Sequence, residues 1–89
     1  MINYYTRPVD ADSGRQNVFA KDGVIVKQYL VAREGFYSGA GNPELLGQPE
    51  SYLRKSGFRR VPGPQIFDRL NNRWISAKVD DDNEETESG

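Results

Sequence analysis

The sequence predicts an α+β domain: a small, mostly antiparallel sheet of about five strands in two hairpins with one short helix, in the order β-ββ-α-ββ. Three observations carry that expectation. β-branched and aromatic residues fall in short runs, each bounded by Gly, Pro, Asn or Asp. Two of those boundaries, Asp22-Gly23 and Asn71-Asn72, are dipeptides that tolerate the positive φ of a two-residue hairpin turn. One helical stretch is punctuated at both ends, by Pro49 and by Gly57.

Met1 to Val9 reads as the first strand, with Ile2, Tyr4 and Thr6 alternating against Asn3, Tyr5 and Arg7. Pro8 marks an edge or the strand end, because it has no N–H for a ladder. Asp10 to Gly14 is a polar turn. Gln16–Lys21 and Val24–Ala32 form a hairpin closed at Asp22-Gly23. The strongest β-formers in the chain, Val24-Ile25-Val26 and Tyr29-Leu30-Val31, mark the second of these strands as central. Residues 35–47 are irregular and hold Gly35, Gly39, Gly41 and Gly47, with Pro43 opening one helical turn capped by Asn42.

The helix is expected from Pro49 to Ser56, with Glu50 at its positive end and Arg54 and Lys55 at its negative end. Gly57 then takes the left-handed position after the helix, and Phe58 folds back on Leu53 in a Schellman motif. Val61-Pro62-Gly63-Pro64 is a rigid turn that no strand crosses. Gln65–Leu70 and Arg73–Val79 make the second hairpin. A two-residue turn at Asn71-Asn72 sets Leu70 against Arg73, Asp68 against Ile75 and Ile66 against Ala77.

Residues 1–79 are thus one domain, and residues 80–89 (DDDNEETESG) are a self-repelling tail expected to be disordered. There is no Cys and no His, so disulfides, thiolate or imidazole metal sites and the usual triads are excluded. No spacing of Asp, Glu or Lys marks a catalytic pair, and no cofactor is expected. The expectation is a non-enzyme. The opening MINYYTRPVD lacks a signal pattern, and no apolar run approaches the ~18 residues of a membrane span. A cytoplasmic location follows as the default, or host cytoplasm or virion for a viral protein.

Charge supplies the functional signal. Between Ser51 and Lys78 lie seven cations (Arg54, Lys55, Arg59, Arg60, Arg69, Arg73, Lys78) and one anion, Asp68. The next eleven residues, Val79 to Gly89, hold six anions (Asp80, Asp81, Asp82, Glu84, Glu85, Glu87) and no cation. Such segregation points to a charged contact surface, a screening tail, or both. In the expected register, one face of the second hairpin carries Phe67, Arg69, Trp74 and Lys78. Two aromatics and two cations form a platform on which single-stranded nucleic acid can stack, and Arg54, Lys55, Arg59 and Arg60 widen it if helix and hairpin share a side. The structural alternative packs Phe67 and Trp74 on the helix through Tyr52 and Leu53.

Phe36 and Tyr37, set among glycines, form an adaptable contact element. The leading expectation is a small non-catalytic protein-binding module that engages a larger protein through aromatic and arginine hot spots. In composition the chain resembles accessory proteins of bacterial viruses, among them virion components and inhibitors of host machinery. The alternative is a single-stranded nucleic-acid binder inhibited by its own acidic tail.

Overall fold

The structure, a computed structural model, describes residues 1–35 and 41–77. It contains β1 (Ile2–Val9), β2 (Gly14–Lys21), β3 (Val24–Ala32), a 3-10 turn (Pro43–Leu45), α1 (Ser51–Lys55), β4 (Arg59–Val61), β5 (Gln65–Asp68) and β6 (Arg73–Ser76). Four strands form an antiparallel sheet in the order β3-β2-β1-β4, and β5 and β6 form a two-stranded sheet of their own. The α+β, mostly antiparallel architecture with one short helix is therefore present, with six strands among the described residues where five were expected. The addition is β4. The acidic tail and the irregular stretch around Phe36 and Tyr37 lie outside the described residues.

The first three strands form a meander. β1 and β2 pair in full register from Ile2–Lys21 to Val9–Gly14. Their turn is one left-handed coil, with Asp10, Ala11 and Asp12 at φ 49°, 56° and 74°. It is closed by the Asp12 N–H on the Val9 carbonyl and the Ser13 N–H on the Asp10 carbonyl. Aspartate accepts this conformation more readily than alanine does, so Ala11 carries most of the local strain. The β2–β3 turn has Asp22 at φ 53° and Gly23 at φ 84°, the two-residue geometry that suits strand twist.

β3 lies at the edge of the sheet, which corrects the expectation that it is central. A break in register beside Phe19 and Ala20 leaves Val26 without a paired residue, and Val24 and Val26 face solvent. Ile25 alone of that run enters the core. The outer backbone of β3 is met there by a loop instead of a strand. The Ile25 N–H donates to the Gln48 carbonyl, while the Gly47 and Glu50 N–H groups donate to Ile25 and Gly23. β-forming strength selects for strand, not for position within a sheet.

Side-chain alternation divides the sheet into two faces. On one, Tyr5, Val18, Ala20 and Ile25 pack with Leu45 from the 3-10 turn, Leu53 from α1 and Phe58. α1 is shorter than expected, because Pro49 bridges to Val24 and Glu50 occupies the N-cap position. Its end follows the expectation. Gly57 sits at φ 88°, the Phe58 N–H reaches the Leu53 carbonyl and the Gly57 N–H reaches the Arg54 carbonyl.

The other face receives the second hairpin through a buried carboxamide. Asn17, with no exposed surface, donates from Nδ2 to the Gln65 carbonyl and accepts the Gln65 N–H on Oδ1. Thr6 Oγ1 donates to the same Oδ1 at 3.0 Å. Asn17 thus pairs with the backbone of β5 as another peptide group would, extending the sheet's hydrogen bonding into the next layer. The register within that hairpin differs from expectation. Asp68 faces Arg73, Phe67 faces Trp74, Ile66 faces Ile75 and Gln65 faces Ser76. The turn is four residues, 69–72, because the Asp68 carboxylate accepts the Leu70 and Asn71 N–H groups and Asn71 Nδ2. Asn72, at φ 55°, is the single residue of this turn with positive φ. An aspartate able to organise the turn outcompetes the Asn-Asn dipeptide.

Candidate functional site

The helix and the second hairpin lie on opposite faces of the four-stranded sheet, since Leu53 packs with Val18 while Gln65 bonds Asn17, the adjoining residue of β2. The cations of the two elements therefore form two groups and not one field. Arg69 and Arg73 are exposed at the tip of the hairpin, beside Leu70, which is 96% exposed. Arg54, Lys55, Arg59 and Arg60 are exposed around α1 and β4.

Phe67 and Trp74 are half-buried and stack edge-to-face, with ring centroids 5.2 Å apart. Both share the hairpin face that carries Gln65, so they turn towards the sheet; neither α1 nor Tyr52 covers them. Each ring carries a guanidinium supplied from elsewhere in the chain. Arg15 lies 5.2 Å from the Trp74 centroid and Arg33 lies 4.9 Å from that of Phe67. The indole N–H donates to the Asp12 carbonyl, and Arg33 Nε donates to the same oxygen. Arg15 also meets Asp12 at 2.9 Å, an ionic contact in which Asp12 Oδ1 lacks hydrogen-bond alignment. Arg15, Arg33 and the Asp12 carbonyl escaped the sequence reading. Apart from Arg15–Asp12, the contacts join residues 21 to 62 positions apart, and no local pattern signals them.

β4 holds the second group. Among the described residues it pairs with β1 alone, setting Arg60 opposite Tyr5 and Arg59 opposite Thr6. Alternation then sends Arg60 to the helix side of the sheet and Arg59 to the hairpin side, both exposed. Beyond that ladder, no backbone hydrogen bond is made by Arg59, Arg60 or Val61 among the described residues. Neither arginine has a salt bridge within the described residues.

Arg60 is oriented by a chain of polar groups that ends on α1. Its Nη2 donates to Asn3 Oδ1 at 2.7 Å, and Asn3 Nδ2 donates to Glu50 Oε2 at 2.8 Å. The buried Tyr5 hydroxyl donates to the same oxygen at 2.6 Å. These bonds, Tyr5 first and then Asn3, hold the Glu50 carboxyl below its ordinary range, with Arg60 and Arg54 adding attraction. Burial, followed by the bond to Glu50, pushes the Tyr5 hydroxyl up. The network is structural and ionic: one carboxylate, accepting twice on Oε2, ties β1 to the start of α1, and Asn3 links it on to Arg60 of β4. Glu50 and Asn3 were read from sequence only as helix and strand residues.

Of the ten residues singled out from sequence, Arg54 and Arg60 both act on Glu50 and Lys55 adjoins them on α1, while Arg59 lies on the opposite face of the sheet. Phe67 and Trp74 pair with each other, and Arg69 sits apart at the hairpin tip. Phe36, Tyr37 and Lys78 lie outside the described residues. Among the described residues there is no group of three metal-ligating side chains, and no helix long and apolar enough to cross a membrane. The chain matches no family model, no curated protein and no solved structure.

Proposed function

We propose that the protein is a small non-catalytic protein-binding module whose main contact surface is the outer edge of β4. The observation that carries this reading is an edge strand whose outer backbone has no partner among the described residues and which displays one arginine on each face. Sheet edges bind extended segments by strand addition: backbone groups supply affinity and alternate side chains supply selectivity. Arg59 and Arg60 straddle any strand added there, so the chemistry favours a partner segment with carboxylates on both of its faces. Tyr52, exposed on α1, and Arg54 extend the surface with the residue types that dominate interface energetics. Arginines on a short edge also discourage indiscriminate pairing, which leaves the edge selective. The compositional resemblance to accessory proteins of bacterial viruses is compatible with such a role.

The test is capture of a partner by the immobilised full-length chain, compared with Arg59→Glu/Arg60→Glu and with Arg69→Glu/Arg73→Glu. The reading expects affinity to fall at least tenfold in the first variant and to hold in the second. Capture indifferent to the β4 reversal would overturn the choice of surface. The nucleic-acid alternative draws on the exposure of Arg54, Lys55, Arg59, Arg60, Arg69 and Arg73. Against it, a base stacking on Phe67 or Trp74 has to compete with Arg33 or Arg15. Oligonucleotide binding that weakens steeply with salt and strengthens on deletion of residues 80–89 would favour that alternative.

A further inference from the structure

We propose that the acidic segment 80–87 of the same chain is itself a ligand of the β4 edge, lying antiparallel along Arg59, Arg60 and Val61. The inference rests on the reading of that edge as the contact surface, and names its resident occupant. Three observations carry it.

The first is where the described chain ends. The Ala77 N–H donates to the Pro64 carbonyl at 2.7 Å, continuing the β5–β6 ladder by one pair. The approach at Gly63 is so close that a Cβ there would sit 2.5 Å from the Ala77 carbonyl oxygen. Residue 77 therefore leaves the hairpin beside Gly63, two positions from the end of β4. The second is reach. Gln65 faces Ser76 and Pro64 meets Ala77, and Val61 lies three residues before Pro64. Three residues of extended chain span ~10 Å, so the segment that follows Ala77 is long enough to reach the β4 edge. The third is charge. The edge offers two arginines without an ion pair among the described residues, and the segment offers six carboxylates. Arg73 is the less favourable target, since the segment has to double back along the whole hairpin to reach it.

A tether this short holds the segment at an effective concentration of order millimolar, so it competes with an external acidic partner without needing high intrinsic affinity. The occupant acts as a selectivity filter: weak acidic segments fail to displace it.

The experiment compares the full-length chain with a full-length variant in which Asp80, Asp81, Asp82 are changed to Asn and Glu84, Glu85, Glu87 to Gln. Backbone amide and arginine Nε–H resonances are recorded at low and high salt. The expected result is a set of shift differences centred on Arg59, Arg60 and Val61, independent of protein concentration and abolished by about 0.5 M salt, where screening is strong. Hexaglutamate is then titrated into both chains, and the neutralised variant is expected to bind it about tenfold more tightly at the same edge. No difference between the chains, differences centred on Arg69 and Arg73, or differences that grow with concentration (a second copy's segment) would each overturn the inference. Hexaglutamate bound at β4 with equal affinity in both chains sinks the inference and leaves the proposed contact surface standing. Hexaglutamate that leaves β4 unperturbed in the neutralised variant counts against both.

Discussion

Asn17 is the residue on which the two sheets depend. Its carboxamide satisfies both backbone groups of Gln65 and the Thr6 hydroxyl, all in a site without water access. Asn17→Leu strands those groups, and the expected loss is about 2–4 kcal/mol by urea denaturation, since each buried unsatisfied group costs about 1–3 kcal/mol. Glu50 makes the matching statement about pH. Its pKa is lower in the folded chain than in the unfolded one, so the unfolded chain takes up the proton first on acidification. The stability it contributes is complete above the ordinary glutamate range and is lost as pH falls through the depressed folded value. Glu50→Gln is expected to flatten the acid limb of a stability–pH curve; an unchanged limb contradicts the network. Tyr5 is shifted upwards, so its contribution is complete below the ordinary tyrosine range and fades only in strong alkali.

At the scale of elements, the clearest test is the end of α1. A Cβ on Gly57 meets nothing within 4 Å, so Gly57→Ala isolates the cost of a left-handed alanine, about 1–2 kcal/mol by thermal or urea unfolding. This helix end was legible in the sequence because the signal is local: Leu53, Gly57 and Phe58 specify it within six residues. Asp22-Gly23 and the turn opened by Pro43 were legible for the same reason, although Asn42 makes no capping bond and its side chain meets Gln16 and Glu44 instead. What sequence left open is set by distant partners. β4 is three residues long, two of them arginines, and only pairing with Tyr4, Tyr5 and Thr6 makes it a strand. The edge position of β3 depends on the loop 47–50 taking its outer backbone. In the second hairpin Asp68 displaced the expected turn, although the shift by two residues kept Phe67 and Trp74 on one face. That face is turned inward by Asn17, and nothing near Phe67 announces it.

The described residues form three layers, with α1 and its loops on one face of the four-stranded sheet and the β5–β6 hairpin on the other. The hairpin layer is held by Asn17, the Trp74–Asp12 hydrogen bond and two cation–π contacts instead of a continuous apolar core. It is expected to open first. In Trp74→Ala, amide hydrogen exchange is predicted to accelerate through residues 65–76 while β1 and β2 remain protected; uniform acceleration would show that the layers unfold together. For the same reason Trp74→Ala is a poor probe of ligand stacking, because it removes a structural contact. The arginines of β4 are the cleaner probe, being exposed and outside the core. The most direct measurement is therefore the affinity of the full-length chain and of Arg59→Glu/Arg60→Glu for the captured partner, with folding of both chains verified by near-ultraviolet circular dichroism. Equal folding with at least a tenfold weaker complex is the predicted result; equal folding with equal affinity would contradict the assignment of the β4 edge as the surface through which this protein acts.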